Sequence, residues 1–122
     1  MKSQNKKISV IIPHYNGEDI LTDCLKSLYN TSNIPLEVIV VDNGSSDNSV
    51  EIVKDKFPEV IVLQQEKNLG FAGGCNVGIR YATLPYVLIL NNDTIHNNNW
   101  IELLLQKIES DEKIGAVQCE FG

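Results

Sequence analysis

The sequence predicts an α/β fold in which helices cover both faces of an open, mostly parallel sheet. Short apolar runs rich in β-branched residues alternate along the chain with segments of helical periodicity, and polar loops follow the apolar runs. The length of 122 residues suits one domain with a single core. We therefore expect a single domain over residues 1–122, with right-handed strand–helix–strand connections and the common strand order 3-2-1-4.

Continuous apolar runs indicate strands that are covered on both faces. They are Ile8 to Ile12, Leu36 to Val41, Val60 to Leu63 and Tyr86 to Leu90, and a further strand begins within Gly115 to Cys119. Between the runs, apolar residues recur with the helical period. The helical segments are Ile20 to Leu28, Val50 to Phe57 and Ala72 to Ala82. Another helix is predicted from Asn99 or Trp100 to Glu109, because Asn99 and Glu102 are spaced like a capping box.

Composition and charge indicate a soluble globular protein and argue against nucleic acid as a partner. The net charge is -6 and the pI is near 4.8, so contacts with phosphates would oppose the mean field of the protein. No apolar stretch approaches the roughly 18 residues of a membrane span, and the basic N terminus lacks the apolar segment of a secretion signal. We expect a cytoplasmic protein, and leave open that a longer chain attaches peripherally to a membrane.

The cysteines Cys24, Cys75 and Cys119 are odd in number and show no C-x-x-C spacing. This pattern argues against a disulfide framework or a zinc site and is typical of a reducing compartment. Cys24 falls on the apolar stripe of the first predicted helix, where a thiol behaves as a small hydrophobic group. We expect Cys24 to lie in the core.

Asp42 ends the second predicted strand. The segment Asp42-Asn43-Gly44-Ser45-Ser46-Asp47 fits a turn and a helix cap, in which Asp47 or Asn48 accepts the first helical N–H groups. That interpretation leaves Asp42 itself unexplained, because aspartate has a low strand propensity. A carboxylate at this position is suited to accept a hydrogen bond from an N–H group of a ligand base.

A glycine-rich segment, Asn68-Leu69-Gly70-Phe71-Ala72-Gly73-Gly74-Cys75-Asn76, surrounds the start of the third predicted helix. A flexible loop would explain it. Alternatively, the missing side chains let the backbone and the helix N–H groups approach a diphosphate. The segment matches neither G-x-G-x-x-G nor G-x-x-x-x-G-K-[ST], so a dinucleotide-binding site and a P-loop both lack their signature.

The segment Asn91-Asn92-Asp93-Thr94 follows the fourth predicted strand. A tight turn would explain it, but its place after a buried strand also suits a cation site. Asp93 offers the hard anionic oxygen that Mg²⁺ or Mn²⁺ prefers alongside ligand phosphates. Asn92 can both donate and accept, as a ribose or phosphate contact requires. With strand order 3-2-1-4, Asp93 faces Tyr15 across the crevice between the first and fourth strands.

The combined pattern resembles the family 2 glycosyltransferases, which have a Rossmann-like GT-A fold that binds nucleotide sugars. The matching segments are ISVIIPHYNG (8–17), LEVIVVDNGSSDNSVEIV (36–53), NLGFAGGCNVGIR (68–80) and YVLILNNDT (86–94). Among these enzymes, the pattern is most similar to rhamnosyltransferase-type enzymes of cell-surface polysaccharide synthesis. The resemblance implies transfer of a sugar from a UDP- or dTDP-sugar to a hydroxyl of a saccharide or lipid-linked acceptor, with inversion.

Carried over to this sequence, the resemblance implies a donor site and a metal site. Pro13 and Tyr15 would form part of the base and ribose pocket, and Asp42 would accept from the pyrimidine N–H. Asn92 would approach the ribose, and Asp93 would bind Mg²⁺ or Mn²⁺. The other candidate binding residues are Asn16, Asn43, Asn68 and Gly70. Two positions depart from the family pattern: Asn91 replaces an aspartate, and Cys75 replaces an asparagine.

The general base and the acceptor pocket of the family lie in a second half of the enzyme, so we expect the base beyond Gly122. The chain is accordingly interpreted as a truncated, N-terminal donor-binding half whose activity alone is doubtful. His14, Asp111 and Glu120 are weaker candidates for the base. Apolar surface near Val117 and Phe121 would favour a homo-oligomer.

Two other classes of protein stay open at the level of sequence. One is a noncatalytic nucleotide-binding module that keeps the site without turnover. The other is a phosphoacceptor signalling domain, which also carries acidic residues at strand ends. The second is disfavoured by the single aspartate at each strand end and by the lack of a suitably placed lysine after the last strand.

Overall fold

The computed structural model describes residues 8–32, 34–92, 106 and 116–119. Its strands form one parallel sheet. They are β1 (Ile8–His14), β2 (Leu36–Asp42), β3 (Ile61–Gln64), β4 (Tyr86–Leu90) and β5 (Ala116–Cys119). The order across the sheet is β3-β2-β1-β4-β5. The predicted order 3-2-1-4 is confirmed, and the further strand pairs with β4.

Three helices connect these strands. They are α1 (Glu18–Thr31), α2 (Ser49–Lys56) and α3 (Gly70–Tyr81). None of the helices within the described residues is both long and apolar enough to cross a membrane. The helix predicted between Asn99 and Glu109 lies outside the described residues except for Gln106, which is helical and exposed. The side chains near Val117 and Phe121 are likewise not described.

The core has two layers because successive side chains of a strand point to opposite faces of the sheet. On one face, α1 and α2 pack against the even-numbered positions of β1 and β2. On the other face, Ile11, Ile39 and Val41 pack against α3. The prediction of helices on both faces is confirmed. Cys24 is fully buried in the first layer, as its place on the apolar stripe predicts.

The first strand extends two residues beyond its predicted apolar run and includes His14. β1 pairs with β2 as far as His14 and Asp42, so the expectation that the strand ends with the apolar run at Ile12 is wrong. The strand continues because the His14 side chain, although polar, is buried with polar partners on neighbouring elements. The ladder between β1 and β4 ends earlier, at Ile11 and Ile89. β1 and β4 therefore separate at the topological switch point, where sheets of this type bind ligands.

Two glycines let α3 lie unusually close to the sheet. A Cβ atom on Gly78 would lie 2.5 Å from Ile11 Cγ2, and one on Gly74 would lie 3.2 Å from Pro13 Cβ. Any larger side chain would push the helix outwards. The close approach brings the beginning of α3 next to the carboxyl ends of β1 and β2.

Candidate functional site

The loops that follow β1, β2, β3 and β4 meet at the carboxyl edge of the sheet. Direct contacts tie them together. Asn92 Nδ2 lies 2.8 Å from His14 Nδ1, and the Asn16 N–H donates to Ser45 Oγ at 2.8 Å. Because residues from four separate strand ends converge here, this edge is the candidate functional site. Asp93 and Thr94 lie outside the described residues.

Asp42 presents a buried carboxylate with one unused oxygen. Its side chain is only 2% exposed. Oδ2 accepts a hydrogen bond from the Ser45 N–H at 3.1 Å, whereas Oδ1 is buried and receives no hydrogen bond from any described residue. A buried acceptor without a donor is costly, and such exceptions in a protein call for an explanation. An N–H group of a ligand would satisfy this oxygen.

Tyr15 and Pro13 occupy different positions although the sequence assigns both to the same pocket. Tyr15 is 49% exposed, so its ring is available for stacking against a flat ligand. Pro13 is a buried residue of β1 that lies beneath Gly74 of α3. Pro13 therefore supports the strand end from which Tyr15 projects.

Asn16 joins the β1–α1 loop to the β2–α2 loop. Its Oδ1 accepts hydrogen bonds from the Ser46 N–H at 2.8 Å and the Asp47 N–H at 3.3 Å. The residue adopts a left-handed conformation with φ of 50°, which asparagine tolerates better than most residues. The contacts of the Asn16 amide oxygen are therefore within the protein, and a role in nucleotide binding stays a prediction.

Asn43 joins the end of β2 to the start of α3, as Asn16 joins two loops. It is 3% exposed; Oδ1 accepts from the Leu69 N–H and Nδ2 donates to the Gly70 carbonyl, both at 3.4 Å. These contacts position the start of α3 relative to β2. The sequence assigns Asn43 to the ligand, but the described contacts support the loop instead, so that assignment also stays a prediction.

The beginning of α3 offers open backbone. Asn68 Oδ1 accepts from the Gly70 N–H at 2.8 Å, and Gly70 has a φ of +77°, which favours glycine. No atom lies within 4 Å of where a Gly70 Cβ would be. Beside this loop is an open cavity of about 410 Å³, lined by Gln64, Gln65, Glu66, Lys67 and Leu69. Lys67 is the cation among these lining residues, and the sequence analysis does not single it out.

His14 lies at the centre of a hydrogen-bond network that sequence reasoning also missed. The side chain is 2% exposed; Nε2 lies 2.8 Å from Ser49 Oγ and Nδ1 lies 2.8 Å from Asn92 Nδ2. Burial lowers the pKa of His14, and the nearby carboxylates of Asp42 and Asp47 only partly oppose this effect. Burial therefore favours the neutral form of His14. No local sequence pattern indicates these contacts, because they depend on the packing of distant segments.

Asp47 lies just before Asn48, the N-cap of α2, and anchors the same network. Its Oδ1 accepts from the Ser49 N–H and from the Ser49 hydroxyl, and its Oδ2 accepts from the Gly17 N–H at 2.7 Å. The hydrogen bond from the Ser49 hydroxyl is the main reason why the pKa of Asp47 is lowered. The prediction that Asp47 or Asn48 accepts the first helical N–H groups is met by Asp47, which accepts from Ser49, whereas the N-cap residue Asn48 makes no side-chain cap hydrogen bond.

The predicted metal ligand Asp93 is outside the described residues. Within the described part of the chain there is no group of three or more His, Cys, Asp or Glu side chains suited to a metal ion. Mg²⁺ commonly uses only one or two protein carboxylates when phosphates complete its coordination. The structure describes the chain as far as Asn92, so a metal site that uses Asp93 stays a prediction.

Known proteins with similar sequences are glycosyltransferases. The family described as "Glycosyl transferase family 2" matches residues 9–120. The glycosyltransferase YibD of Escherichia coli (strain K12) is 36% identical over 98% of this chain and 35% of its own length. The poly-beta-1,6-N-acetyl-D-glucosamine synthase of Staphylococcus epidermidis is 30% identical over 96% of this chain and 30% of its own length. The chain thus spans about a third of the length of these relatives.

Solved structures agree with the sequence comparison. S. aureus TarS 1-349 in complex with UDP-GlcNAc superimposes with a TM-score of 0.77 at 31% identity, over 87% of this chain and 32% of that one. The mannosyltransferase PcManGT of Pyrobaculum calidifontis, in complex with GDP-Man and Mn²⁺, has a TM-score of 0.82 at 26% identity. That match covers 95% of this chain and 36% of PcManGT. From the sheet order, the strand-end site and these matches together, we conclude that the chain has the GT-A fold and belongs to glycosyltransferase family 2.

Proposed function

We propose that this chain carries the donor half of an inverting glycosyltransferase that transfers a sugar from a UDP- or dTDP-sugar to an acceptor hydroxyl. The observation that carries the proposal is the buried Asp42 carboxylate, whose Oδ1 has no donor among the described residues. This oxygen lies at the carboxyl edge of the sheet, on the strand next to the one from which Tyr15 projects. A base that supplies an N–H group and a flat ring would use both.

The geometry of Asp42 favours a pyrimidine over guanine. Guanine presents two adjacent N–H donors, which a carboxylate binds with both oxygens. Here Oδ2 already accepts from the Ser45 N–H, and Oδ1 is the oxygen without a donor among the described residues. Uracil and thymine each have a single N–H, on N3, which matches one free oxygen. Tyr15 would stack on the ring, since half of its surface is open.

The diphosphate fits between the start of α3 and the end of β4. Open backbone at Gly70 and the N-terminal N–H groups of α3 favour an anion. Asn92 would contact the ribose, and Asp93 would hold Mg²⁺ or Mn²⁺. The cation would offset negative charge on the departing diphosphate. The solved structure of PcManGT with GDP-Man and Mn²⁺ supports a metal in this fold.

The acceptor must lose a proton as the anomeric carbon gains oxocarbenium character. His14 is unsuited to take that proton, because it is buried and both of its ring nitrogens are hydrogen-bonded within the protein. We place the general base in the part of the relatives that this chain does not span. An attack from the face opposite the diphosphate gives inversion.

The relatives support a role in cell-surface polymers. Besides the poly-beta-1,6-N-acetyl-D-glucosamine synthase, a poly(ribitol-phosphate) beta-glucosyltransferase of Bacillus spizizenii is 38% identical over 71% of this chain. We therefore propose a saccharide or lipid-linked acceptor and a cytoplasmic reaction, since an odd number of cysteines without C-x-x-C spacing is typical of a reducing compartment. The sequence pattern is most similar to rhamnosyltransferase-type enzymes but does not fix the sugar, and the names of relatives and solved structures include N-acetylglucosamine, glucose and mannose.

Titration calorimetry with uridine, thymidine and guanosine diphosphates, each with and without Mn²⁺, tests the proposal. We expect the pyrimidine nucleotides to bind, and to bind more tightly with Mn²⁺. Asp93→Asn should abolish the effect of Mn²⁺, whereas Asp55→Asn, at an exposed position of α2, should leave it intact. Equal affinity for all three nucleotides, unaffected by Mn²⁺, would contradict the site.

Turnover separates an enzyme from a noncatalytic nucleotide-binding module. The complete protein should hydrolyse or transfer the sugar of its donor, measured as release of nucleoside diphosphate. Tight nucleotide binding without any release of diphosphate would favour the noncatalytic module.

A further inference from the structure

A side-chain hydrogen bond joins the end of β1 to the segment after β4, beyond the last backbone pairing between the two strands. The β1–β4 ladder ends at Ile11 and Ile89, three residues before each partner of this bond. His14 Nδ1 and Asn92 Nδ2 lie 2.8 Å apart, although the two residues are 78 positions apart in sequence. The place of Asn92 at the crevice thus depends directly on His14.

The hydrogen bonds behind His14 have only one consistent direction. We call the set of side chains Asp47, Ser49, His14 and Asn92 the Asn92 relay. The ionised Asp47 carboxylate can only accept, so the Ser49 hydroxyl donates to it. The Ser49 oxygen is then free to accept from the Nε2–H of His14.

This direction determines which atoms Asn92 turns towards His14. With its proton on Nε2, a neutral His14 has an unprotonated Nδ1, which can only accept. The Asn92 Nδ2 group therefore points at His14, and no described residue donates to Asn92 Oδ1. The carboxylate of Asp47 thus sets the orientation of an amide on the far side of the site.

We propose that His14 is a positioning residue of the donor site, which holds the Asn92 carboxamide so that Oδ1 is presented to the donor as the acceptor for a ribose hydroxyl. This inference rests on the proposed function, because it takes Asn92 as a donor contact. His14 itself makes no ligand contact in this proposal, because both of its ring nitrogens are hydrogen-bonded to Ser49 and Asn92. His14 acts through Asn92: the Asn92 atom that faces the donor is the amide oxygen, which accepts, and not the amide nitrogen, which donates.

The tautomer of His14 is the first test, and it requires no ligand. Imidazole ¹⁵N chemical shifts measured by NMR at pH 7 should show the proton on Nε2 and none on Nδ1. Ser49→Ala should weaken this preference, because the acceptor for Nε2–H is lost. A proton on Nδ1, or a doubly protonated ring, would overturn the inference whatever the protein binds.

The second test compares uridine diphosphate with its 2′-deoxy and 3′-deoxy analogues by calorimetry. In the unmodified protein, loss of the hydroxyl that Asn92 recognises should weaken binding about three- to tenfold, the size of one hydrogen bond. In Ser49→Ala, uridine diphosphate and the deoxy analogue that lacks this hydroxyl should bind with nearly equal affinity. A merely structural defect would instead weaken both by the same factor.

Two variants serve as controls for Ser49→Ala. Ser49→Thr retains the hydroxyl and should restore the discrimination between nucleotides. Thr22→Val removes a different hydroxyl, which donates to the Glu18 carbonyl at 2.7 Å, and should leave the discrimination unchanged. Undiminished discrimination in Ser49→Ala would overturn the inference and leave the proposed function standing. Failure of the unmodified protein to bind any nucleotide would overturn the proposed function, and the inference with it.

Discussion

At the scale of single residues, the site depends on polar groups whose burial is costly unless something compensates for it. Asp42 and His14 face each other in register on β2 and β1, and both are 2% exposed. His14 has two hydrogen-bond partners, whereas one oxygen of Asp42 has none among the described residues. We interpret Asp42 as a residue whose energetic cost is offset when the donor binds.

Asp42→Asn should therefore affect binding and stability in opposite directions. An amide oxygen can still accept from the Ser45 N–H, but the buried charge is lost, so the free energy of unfolding should be unchanged or higher. Affinity for uridine diphosphate should fall about 10- to 100-fold, the size of a hydrogen bond to a charged group. Urea unfolding and calorimetry on the same sample measure both quantities. Lower stability with unchanged affinity would show that Asp42 is purely structural.

His14 should make stability fall in mildly acidic solution. Its pKa is lowered from 6.5 in the folded protein, so below pH 6.5 the unfolded chain takes up a proton that the folded chain does not. Stability from this group is complete above pH 6.5 and is lost as the pH falls towards the lowered pKa, by at most about 1.4 kcal/mol per pH unit. Urea unfolding at pH 7.5, 6.5 and 5.5 measures it.

Substitution of each histidine isolates this effect. His14→Gln should remove the loss of stability between pH 7.5 and 5.5, whereas the same substitution at His96 should leave it in place. Asp47 does not contribute to this change in stability, because its pKa is lowered from 3.8 and its contribution to the free energy of unfolding is lost only at more acidic pH. Stability that is constant or rises as the solution is acidified would contradict the burial of a neutral His14.

At the scale of secondary-structure elements, the position of α3 matters most for the site. The helix packs on β1 and β2, and Asn43 ties its first residues to the end of β2. Gly78 and Gly74 permit this close packing. The glycines of this segment therefore have two separate uses: Gly70 opens the backbone at the loop, and Gly74 and Gly78 bring the helix onto the sheet.

Gly78→Ala should destabilise the protein although alanine favours helices. The new Cβ would lie 2.5 Å from Ile11 Cγ2 inside the core, and overpacking of this kind costs about 1–3 kcal/mol. Combining it with Ile11→Ala should give a smaller loss than the sum of the two single variants, because the methyl group enters space that the isoleucine vacates. Urea unfolding of all four proteins completes this cycle. Strict additivity would rule out the contact.

At the scale of the whole molecule, the site draws on segments spread along the described chain. Strand ends from residues 14, 42, 64 and 90 all contribute to one edge. A ligand bound there contacts parts of the chain that separate when the protein unfolds. Nucleotide binding should therefore stabilise the entire domain, and not only the loops.

A nucleoside diphosphate at about 100 times its dissociation constant should raise the free energy of unfolding by about 2.7 kcal/mol. Differential scanning calorimetry with uridine diphosphate and Mn²⁺ should show a single transition at a higher temperature. Asp42→Asn at the same ligand concentration should show a much smaller rise. An equal rise in both proteins would indicate binding at some other site.

Local patterns of apolar residues and a family signature were enough to predict the parallel sheet, the strand order, the helices on both faces and the buried Cys24. They also placed Asp42 at a strand end. The contacts of the polar groups at that edge follow instead from how the folded chain brings distant segments together. The partners of Asn16, Asn43 and His14 lie about 26 to 78 residues away in the chain, so no local pattern encodes them. Hydropathy reports which face of an element is buried, whereas a hydrogen bond depends on the register of neighbouring strands.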